Sequence, residues 1–361
     1  MSTAGPSQGA KAPLGGRNPS EAGERGGVRI RVVKRPVHGV LLLDKPLGLS
    51  SNDALQKAKW LLRAEKAGHT GTLDPLATGV LPLCFGAATK FSALQLEAAK
   101  TYEATAILGI KTSTGDAEGE VIATRAVQVT QADIDRVQHQ FTGPISQIPP
   151  MHSALKKDGK ALYEYAREGI TLEREPRHVT IYKLNVLLTQ VNNAQAAIKI
   201  VATVSKGTYI RTLGEDIGEA LGCGAHLSSL RRTDTGGLSI DNAVTLEQLE
   251  AMSDEQRMEC LQPVDSLLAG HSQVTLDSDN AGRFLSGLRR RTNQPDADQV
   301  AVYGDNTNAF NGDNTKAFNV DNTEALCADK PRSLLGAAHI KAGELIPTRL
   351  LSPIEISQIL D

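Results

Sequence analysis

Asp74 is the residue of this chain whose setting best suits nucleophilic or acid–base chemistry. It precedes a proline, which pushes its backbone away from the helical region toward an extended conformation. Gly71 and Gly79 let the surrounding loop bend sharply. Within the stretch 68–83 the other titratable side chain is His69. These residues alone leave two interpretations open, a turn-forming Asp-Pro pair or a catalytic carboxylate.

A catalytic carboxylate needs a partner that keeps it ionised and oriented, and arginine does this best through a bidentate pair. Arg211 is a candidate because it lies where a predicted strand meets a predicted helix, next to Gly207. Tyr102 and Tyr209 lie at the edges of predicted elements, where a ring could stack on a nucleotide base. An ordinary surface arginine and ordinary packed tyrosines are the competing interpretations.

Several classes of site are excluded by what the chain lacks. No Gly-Lys-Ser or Gly-Lys-Thr ends the glycine-rich stretch, so a phosphate-binding loop is not predicted. Four widely spaced cysteines predict free thiols rather than a zinc site. No apolar run approaches the ~20 residues of a membrane span, and the chain begins without the apolar core of a signal peptide.

Net charge argues at first against a nucleic-acid protein. The chain of 361 residues carries a formal charge of −2, whereas nucleic-acid-binding domains are usually basic. Residues 1–37, by contrast, hold seven basic and two acidic side chains and read as a flexible basic tail. RNA binding would therefore need a local basic face in the rest of the chain. The candidates for that face are Arg211, Arg231, Arg232, Lys45 and Lys100.

The elements that must position these residues follow from hydrophobic periodicity. A continuous apolar run at 39–43 predicts a buried strand, and an amphipathic stripe predicts a helix over 51–67 that Gly68 ends. Further strands are predicted at 102–110, 178–188, 196–204 and 226–231, and further helices after Thr130, around 160–168 and over 210–221.

The region after about residue 270 differs from the rest of the chain. Residues 304–327 contain three copies of an eight-residue repeat rich in Asn, Asp and Thr, which predicts a low-complexity insertion. The flanking segments 300–303 and 334–338 can pair as a hairpin that carries this insertion in its loop. A small β-rich domain over 269–361, with an insert at 304–330, is the resulting prediction.

Six ordered motifs together resemble the signature of the TruB family, the bacterial tRNA pseudouridine-55 synthases. The similar segments are 43–51, 68–81, 100–102, 147–154, 205–211 and 222–232. The resemblance covers roughly residues 38–265 in order, and six motifs in order are far more specific than any single one. The basic tail (residues 1–37) and the repeat (residues 304–327) are not part of the family pattern.

The resemblance implies a role for each candidate residue. Asp74 would be the catalytic aspartate and Arg211 its salt-bridge partner. Tyr102 would stack on the target uracil and assist a late proton transfer. His69 would take the vacated place in the RNA stack, Tyr209 and Leu230 would line the uracil pocket, and Lys45 would support the active-site loop.

The resemblance also implies a fold, a substrate and a setting. The fold would be α+β, a mixed and mostly antiparallel sheet flanked by helices over 38–268, followed by a PUA-like RNA-binding domain. The substrate would be the T-loop of tRNA, with neither cofactor nor metal, and the protein would be a cytoplasmic monomer. Two other hypotheses remain: a non-catalytic tRNA-binding or RNA-folding protein on the same scaffold, and a nucleotide-binding α/β enzyme.

Overall fold

The structure is a computed structural model that describes residues 33–191, 195–305 and 332–360. Most of the predicted basic tail lies outside these residues. The same is true of the predicted insertion, apart from Gly304 and Asp305, which end a strand.

A nine-stranded sheet forms the larger part of the described chain. Its strands are β1 (Gly39–Lys45), β2 (Ala67–His69), β3 (Ala77–Phe85), β4 (Lys100–Leu108), β7 (Gly143–Gln147), β10 (Arg177–Val191), β11 (Gln195–Val204), β12 (Ala225–Thr235) and β13 (Leu238–Ser239). The order is β1-β3-β12-β4-β11-β10-β7, with β2 paired to β3 and β13 to β12. Every pairing is antiparallel except that of β12 with β3, so the sheet is mixed and mostly antiparallel, as predicted.

Two short hairpins and six helices accompany this sheet. The hairpins pair β5 (Ile110–Thr112) with β6 (Val121–Thr124) and β8 (Lys156–Lys157) with β9 (Lys160–Ala161). The helices are α1 (Ser51–Leu61), α2 (Gln131–Gln140), α3 (Leu162–Arg167), α4 (Ile210–Ala220), α5 (Leu246–Ala251) and α6 (Asp254–Glu259).

The continuous apolar sequence of β1 is explained by the burial of both of its faces. Successive side chains of a strand point to opposite faces. Leu41 and Leu43 are buried in a core shared with α1 and α4, whereas Val40 and Leu42 are buried in a second core shared with the C-terminal part of the chain. Because both faces of β1 are covered, both sets of positions must be apolar.

The predicted helix over 51–67 is shorter in the structure. The side chain of Ser50 accepts a hydrogen bond from Asp53 N and caps the first turn. The helix ends at Leu61 because Arg63 takes a left-handed conformation with φ of 53°. Gly68, predicted as the terminator, instead lies in β2.

The C-terminal part contains a five-stranded sheet in the order β14-β16-β17-β18-β15. These strands are β14 (Ser272–Leu276), β15 (Arg290–Arg291), β16 (Ala297–Asp305), β17 (Arg332–Lys341) and β18 (Glu344–Leu350), with α7 (Ser278–Leu285) and α8 (Pro353–Leu360) beside them. The predicted hairpin is present, since β16 pairs with β17. The C-terminal part is thus β-rich, as predicted, while the domain boundaries and its PUA-like character remain predictions.

None of the helices in the described ranges is long and apolar enough to cross a bilayer.

Candidate active site

Asp74 lies in the loop between β2 and β3, and α1 holds that loop in place. The buried hydroxyl of Ser51 donates to Leu73 O at 3.0 Å and accepts from Leu73 N at 2.8 Å, which fixes the residue before Asp74. Gly79 has a φ of 106°, and a Cβ there would lie 2.1 Å from Arg232 O on β12. Only glycine permits this close approach of β3 to β12, on which the position of the loop depends.

Arg211 joins Asp74 to three other acceptors. Its guanidinium lies at the first turn of α4 and is only 5% exposed. Nη2 donates to Asp74 Oδ2 at 2.7 Å and to His152 O at 2.6 Å. Nη1 donates to Asp116 Oδ2 at 3.1 Å and to Thr114 O at 3.3 Å. Four directed hydrogen bonds leave this side chain a single orientation.

Asp116 is a site residue that sequence reasoning missed. It lies in the polar loop between β5 and β6, and it is buried, whereas the side chain of Asp74 is 43% exposed. Its Oδ1 accepts from Thr114 Oγ1 at 2.6 Å and from Glu118 N at 3.1 Å. Of the two carboxylates on Arg211, one therefore anchors the guanidinium and the other is free to face a substrate. Nothing in the loop sequence except an aspartate among threonines and glycines marks this function.

We expect Asp116→Asn to lower kcat about 10²-fold with little change in KM, because a shift of about 1 Å in a positioning group can cost that much. The free energy of unfolding should fall by about 2 kcal/mol, since Arg211 loses one of two charged partners in a buried setting. Single-turnover kinetics and urea denaturation measure both effects. Glu120→Gln removes an exposed carboxylate from the same loop and should change neither. A lower affinity with unchanged kcat would contradict the positioning role.

Asp74, Tyr102, Tyr209, Leu230 and Arg211 line one cavity of about 240 Å³. The pairing of β12 with β4 places Leu230 opposite Ala104 and Arg232 opposite Tyr102, so these side chains share one face of the sheet. Burial raises the pKa of the Tyr209 hydroxyl. The cavity thus presents two aromatic rings and an aliphatic side chain beside a carboxylate.

His69 lines a second cavity of about 510 Å³, whose wall also includes Asp74 and Arg211. Asn52, His152 and Tyr163 also line it. Burial lowers the pKa of His69, which favours a neutral imidazole at pH 7. Of the residues given a site role from sequence, all except Lys45 therefore line one or both of these cavities, and Asp74 and Arg211 line both.

Three of the five basic side chains that were candidates for a basic face, Lys45, Arg211 and Arg232, are buried. Arg211 is buried against two carboxylates, and Arg232 is 1% exposed, with its Nε donating to Val80 O. Arg231 makes a bidentate pair with Asp44. Lys100 is half-buried and donates to two backbone carbonyl groups, as does the fully buried Lys45. The expected basic face is therefore reduced to the partly exposed side chains of Arg231 and Lys100.

Lys45 supports the loop before α1, since its Nζ donates to Pro46 O at 2.9 Å and to Leu49 O at 2.7 Å. Burial lowers the pKa of Lys45 from 10.5 to about 8. Between these two values the unfolded chain binds more protons than the folded protein, so this group adds stability as pH rises from about 8 to above 10.

We expect the free energy of unfolding of the wild type, minus that of Lys45→Met, to rise by at most about 3 kcal/mol between pH 7 and pH 10.5. Urea denaturation at a series of pH values measures it. Lys59→Met, which removes a less buried lysine from α1, is the control for the loss of one positive charge. A flat difference for Lys45→Met would contradict the stated burial effect.

Within the described ranges no group of three or more His, Cys, Asp or Glu side chains could hold a metal ion.

Comparison with known proteins decides the family. A profile described as "TruB family pseudouridylate synthase (N terminal domain)" matches residues 59–210, and one described as "tRNA pseudouridylate synthase B C-terminal domain" matches residues 211–269. The chain belongs to the TruB family. The two profiles confirm the family resemblance that the six sequence motifs indicated.

Relatives over nearly the full length agree with this membership. The chain is 64% identical to "tRNA pseudouridine synthase B" of Verminephrobacter eiseniae, over 92% of this chain and 94% of the relative. It is 55% identical to the protein of the same name from Ralstonia nicotianae, over 88% and 95% of the two chains. This TruB-family chain is therefore a pseudouridine synthase, as predicted, and the non-catalytic alternative is not favoured.

Solved structures show the same fold at low identity. A Cbf5–Nop10–Gar1 complex contains a chain that is 24% identical, with a TM-score of 0.62, over 88% of this chain and 86% of that one. An H/ACA ribonucleoprotein bound to a substrate RNA containing 2′-deoxyuridine contains a chain that is 23% identical, with a TM-score of 0.59 over the same shares. The mostly antiparallel sheet is also unlike the parallel sheet that a nucleotide-binding α/β enzyme would need.

Proposed function

We propose that this chain converts the uridine at position 55 in the T-loop of tRNA to pseudouridine, with Asp74 as its catalytic carboxylate. The observation that carries the proposal is the Asp74–Arg211–Asp116 arrangement at the wall of an aromatic cavity. Its exposed carboxylate is oriented by a buried arginine and faces Tyr102, Tyr209 and Leu230. The relatives named tRNA pseudouridine synthase B support tRNA as the substrate.

The chemistry needs one carboxylate and no added atoms. The C1′–N1 bond of the uridine breaks, the uracil turns, and a C1′–C5 bond forms, while C5 loses a proton and N1 gains one. Asp74 either attacks C1′ or removes the 2′ proton, and both steps call for a carboxylate close to the ribose. A glycosidase would need a second carboxylate as general acid beside the reacting bond. Asp116 does not suit this role, because it is 2% exposed and both of its carboxylate oxygens already accept hydrogen bonds, Oδ2 from Arg211 and Oδ1 from Thr114 and Glu118 N.

The target base must leave the RNA stack to reach Asp74. In this proposal the uracil enters the 240 Å³ cavity, stacks on Tyr102 and lies between Tyr209 and Leu230. Tyr102 then assists the late proton transfer from C5. His69, in the neighbouring cavity, takes the place that the base vacates, and a neutral imidazole can stack between bases at no cost in charge desolvation.

Residues 269–361 form a PUA-like RNA-binding domain beside a catalytic domain over 38–268 in this proposal. The five-stranded sheet supports it, as does the exposed side chain of Arg291, for which the described part of the chain shows no ion pair. The proposal takes the protein to act as a monomer. We propose that the protein is located in the cytoplasm, because its proposed substrate, tRNA, is found there.

The experiment is pseudouridine mapping on an unmodified T-arm RNA incubated with the purified full chain and EDTA. We expect a single pseudouridine at position 55 and none in an RNA with cytidine at that position. Modification at another uridine instead would overturn the assignment to position 55. An absence of modification together with tight RNA binding would instead favour the RNA-folding alternative.

A further inference from the structure

One face of α1 carries the only tryptophan of the chain, and that tryptophan is solvent-exposed. Trp60 is 65% exposed. Asn52, Gln56 and Trp60 are spaced four residues apart and therefore lie on one side of the helix. Gln56 Nε2 donates to Asn52 Oδ1 at 3.3 Å. We refer to Asn52, Gln56, Lys59 and Trp60 as the α1 strip.

The α1 strip is continuous with the candidate active site. Asn52 lines the 510 Å³ cavity that also contains Asp74 and His69. Eight residues separate Asn52 from Trp60, which at 1.5 Å per residue places Trp60 about 12 Å farther along the helix. An RNA strand that leaves the cavity along α1 would therefore reach the indole within a few nucleotides of the target.

The second half of α1 is basic. It carries Lys57 and Lys59 and no acidic residue, while Asp53, the acidic residue of this helix, lies in the first turn. Lys59 follows Gln56 by three residues and therefore lies on the same side of α1 as Gln56, next to Trp60 in the chain. Lys59 makes no ion pair within the part of the chain that the structure describes. An exposed indole beside a free cation suits a base that stacks and a phosphate that pairs.

We propose that the α1 strip extends the RNA interface, with Trp60 stacking on a nucleotide of the substrate outside the modified one and Lys59 pairing with a phosphate. This inference rests on the proposed function, because it takes the substrate to be RNA. The strip commits to RNA rather than to a protein partner, because it starts at the 510 Å³ cavity, where His69 is proposed to replace the target base in the RNA stack, and because its far end is basic.

The single tryptophan gives a direct test. Titration of the Asp74→Asn full chain with unmodified T-arm RNA should quench the Trp60 fluorescence, with a midpoint that matches the Kd from filter binding. The Asp74→Asn background keeps the RNA unmodified during the measurement. Free tryptophan amide titrated with the same RNA corrects for absorption by the bases. An unchanged emission while the complex forms would overturn the proposal.

Variants measure the contribution of the ring. Trp60→Ala should raise the Kd and the KM for T-arm RNA at least fivefold, since stacking on a base supports losses of that size. Trp60→Phe should stay within about twofold of the wild type, because a phenyl ring also stacks. The matched control is Tyr182→Ala, an exposed aromatic on β10 outside the strip, which should change nothing. The kcat should be the same in all three.

The two proposals can fail separately. Quenching by RNA without any pseudouridine formed by the wild type would leave the α1 strip intact and overturn the proposed function. Normal pseudouridine formation by a Trp60→Ala protein whose Kd for T-arm RNA is unchanged would support the proposed function and overturn the α1 strip. An emission change caused by a protein partner but not by RNA would also overturn the α1 strip as an RNA surface.

Discussion

Asp74→Asn should lower pseudouridine formation at least ~10³-fold, the scale typical of losing a group on which the chemistry depends. The amide has the same shape as the carboxylate but can neither attack C1′ nor accept the 2′ proton efficiently. Binding of tRNA should change by less than about threefold, because the cavity walls and the Arg211–Asp116 pair remain. Single-turnover assays on T-arm RNA and filter binding measure the two quantities.

The control for Asp74→Asn is its stability. Arg211 keeps Asp116, His152 O and Thr114 O as acceptors, so the free energy of unfolding should fall by no more than about 1 kcal/mol. A variant that forms pseudouridine in T-arm RNA at a rate near that of the wild type would show that Asp74 is not the catalytic carboxylate. A variant that unfolds would be replaced by Asp74→Glu, which keeps the charge but moves it by one methylene.

Arg211→Lys should lower kcat by about 10²-fold or more and the free energy of unfolding by about 3 kcal/mol. Two guanidinium nitrogens reach four acceptors in the structure, on Asp74, Asp116, Thr114 and His152. A single ammonium nitrogen on a flexible stem cannot bridge carboxylates on opposite sides of it. One buried acceptor would lose its charged partner, and Asp74 would lose its fixed orientation.

Arg231→Lys is the matched control for this substitution. Arg231 also makes a bidentate pair with a carboxylate, but its side chain is 41% exposed, so the same change should cost under about 1 kcal/mol and leave kcat unaltered. Urea denaturation and single-turnover rates compare the two proteins. Equal effects at both positions would show that neither burial nor contact with Asp74 sets Arg211 apart.

Prediction of secondary structure from sequence was best where the residue pattern is compatible with one environment only. The continuous apolar run of β1 predicted a strand buried on both faces, and both faces are buried. The helix α1 was predicted at its start but six residues too long, because the apolar stripe continues past Leu61. Its end is set by the positive φ of Arg63, a residue type that rarely takes this conformation, so composition gives no signal for it.

The site shows the same division. Asp74, Arg211 and the two tyrosines could be named from their motifs, and the structure places them around shared cavities. Asp116 could not, because its importance comes from burial and from hydrogen bonds made across 95 residues of chain. The expected basic face was overestimated for a related reason, since a formal charge in a sequence does not say whether the side chain is buried, and Lys45, Arg211 and Arg232 are.

The sequence by itself determined the family, the mostly antiparallel α+β fold and the loop that carries Asp74, since ordered motifs and strand periodicity are local properties of a chain. Only the tertiary structure decided which carboxylate faces the cavity and which one anchors Arg211. It also decided that Lys45 and Arg232 are buried and that Trp60 is exposed. Burial and ion pairing depend on contacts between segments far apart in the chain, and no local pattern of residues records them.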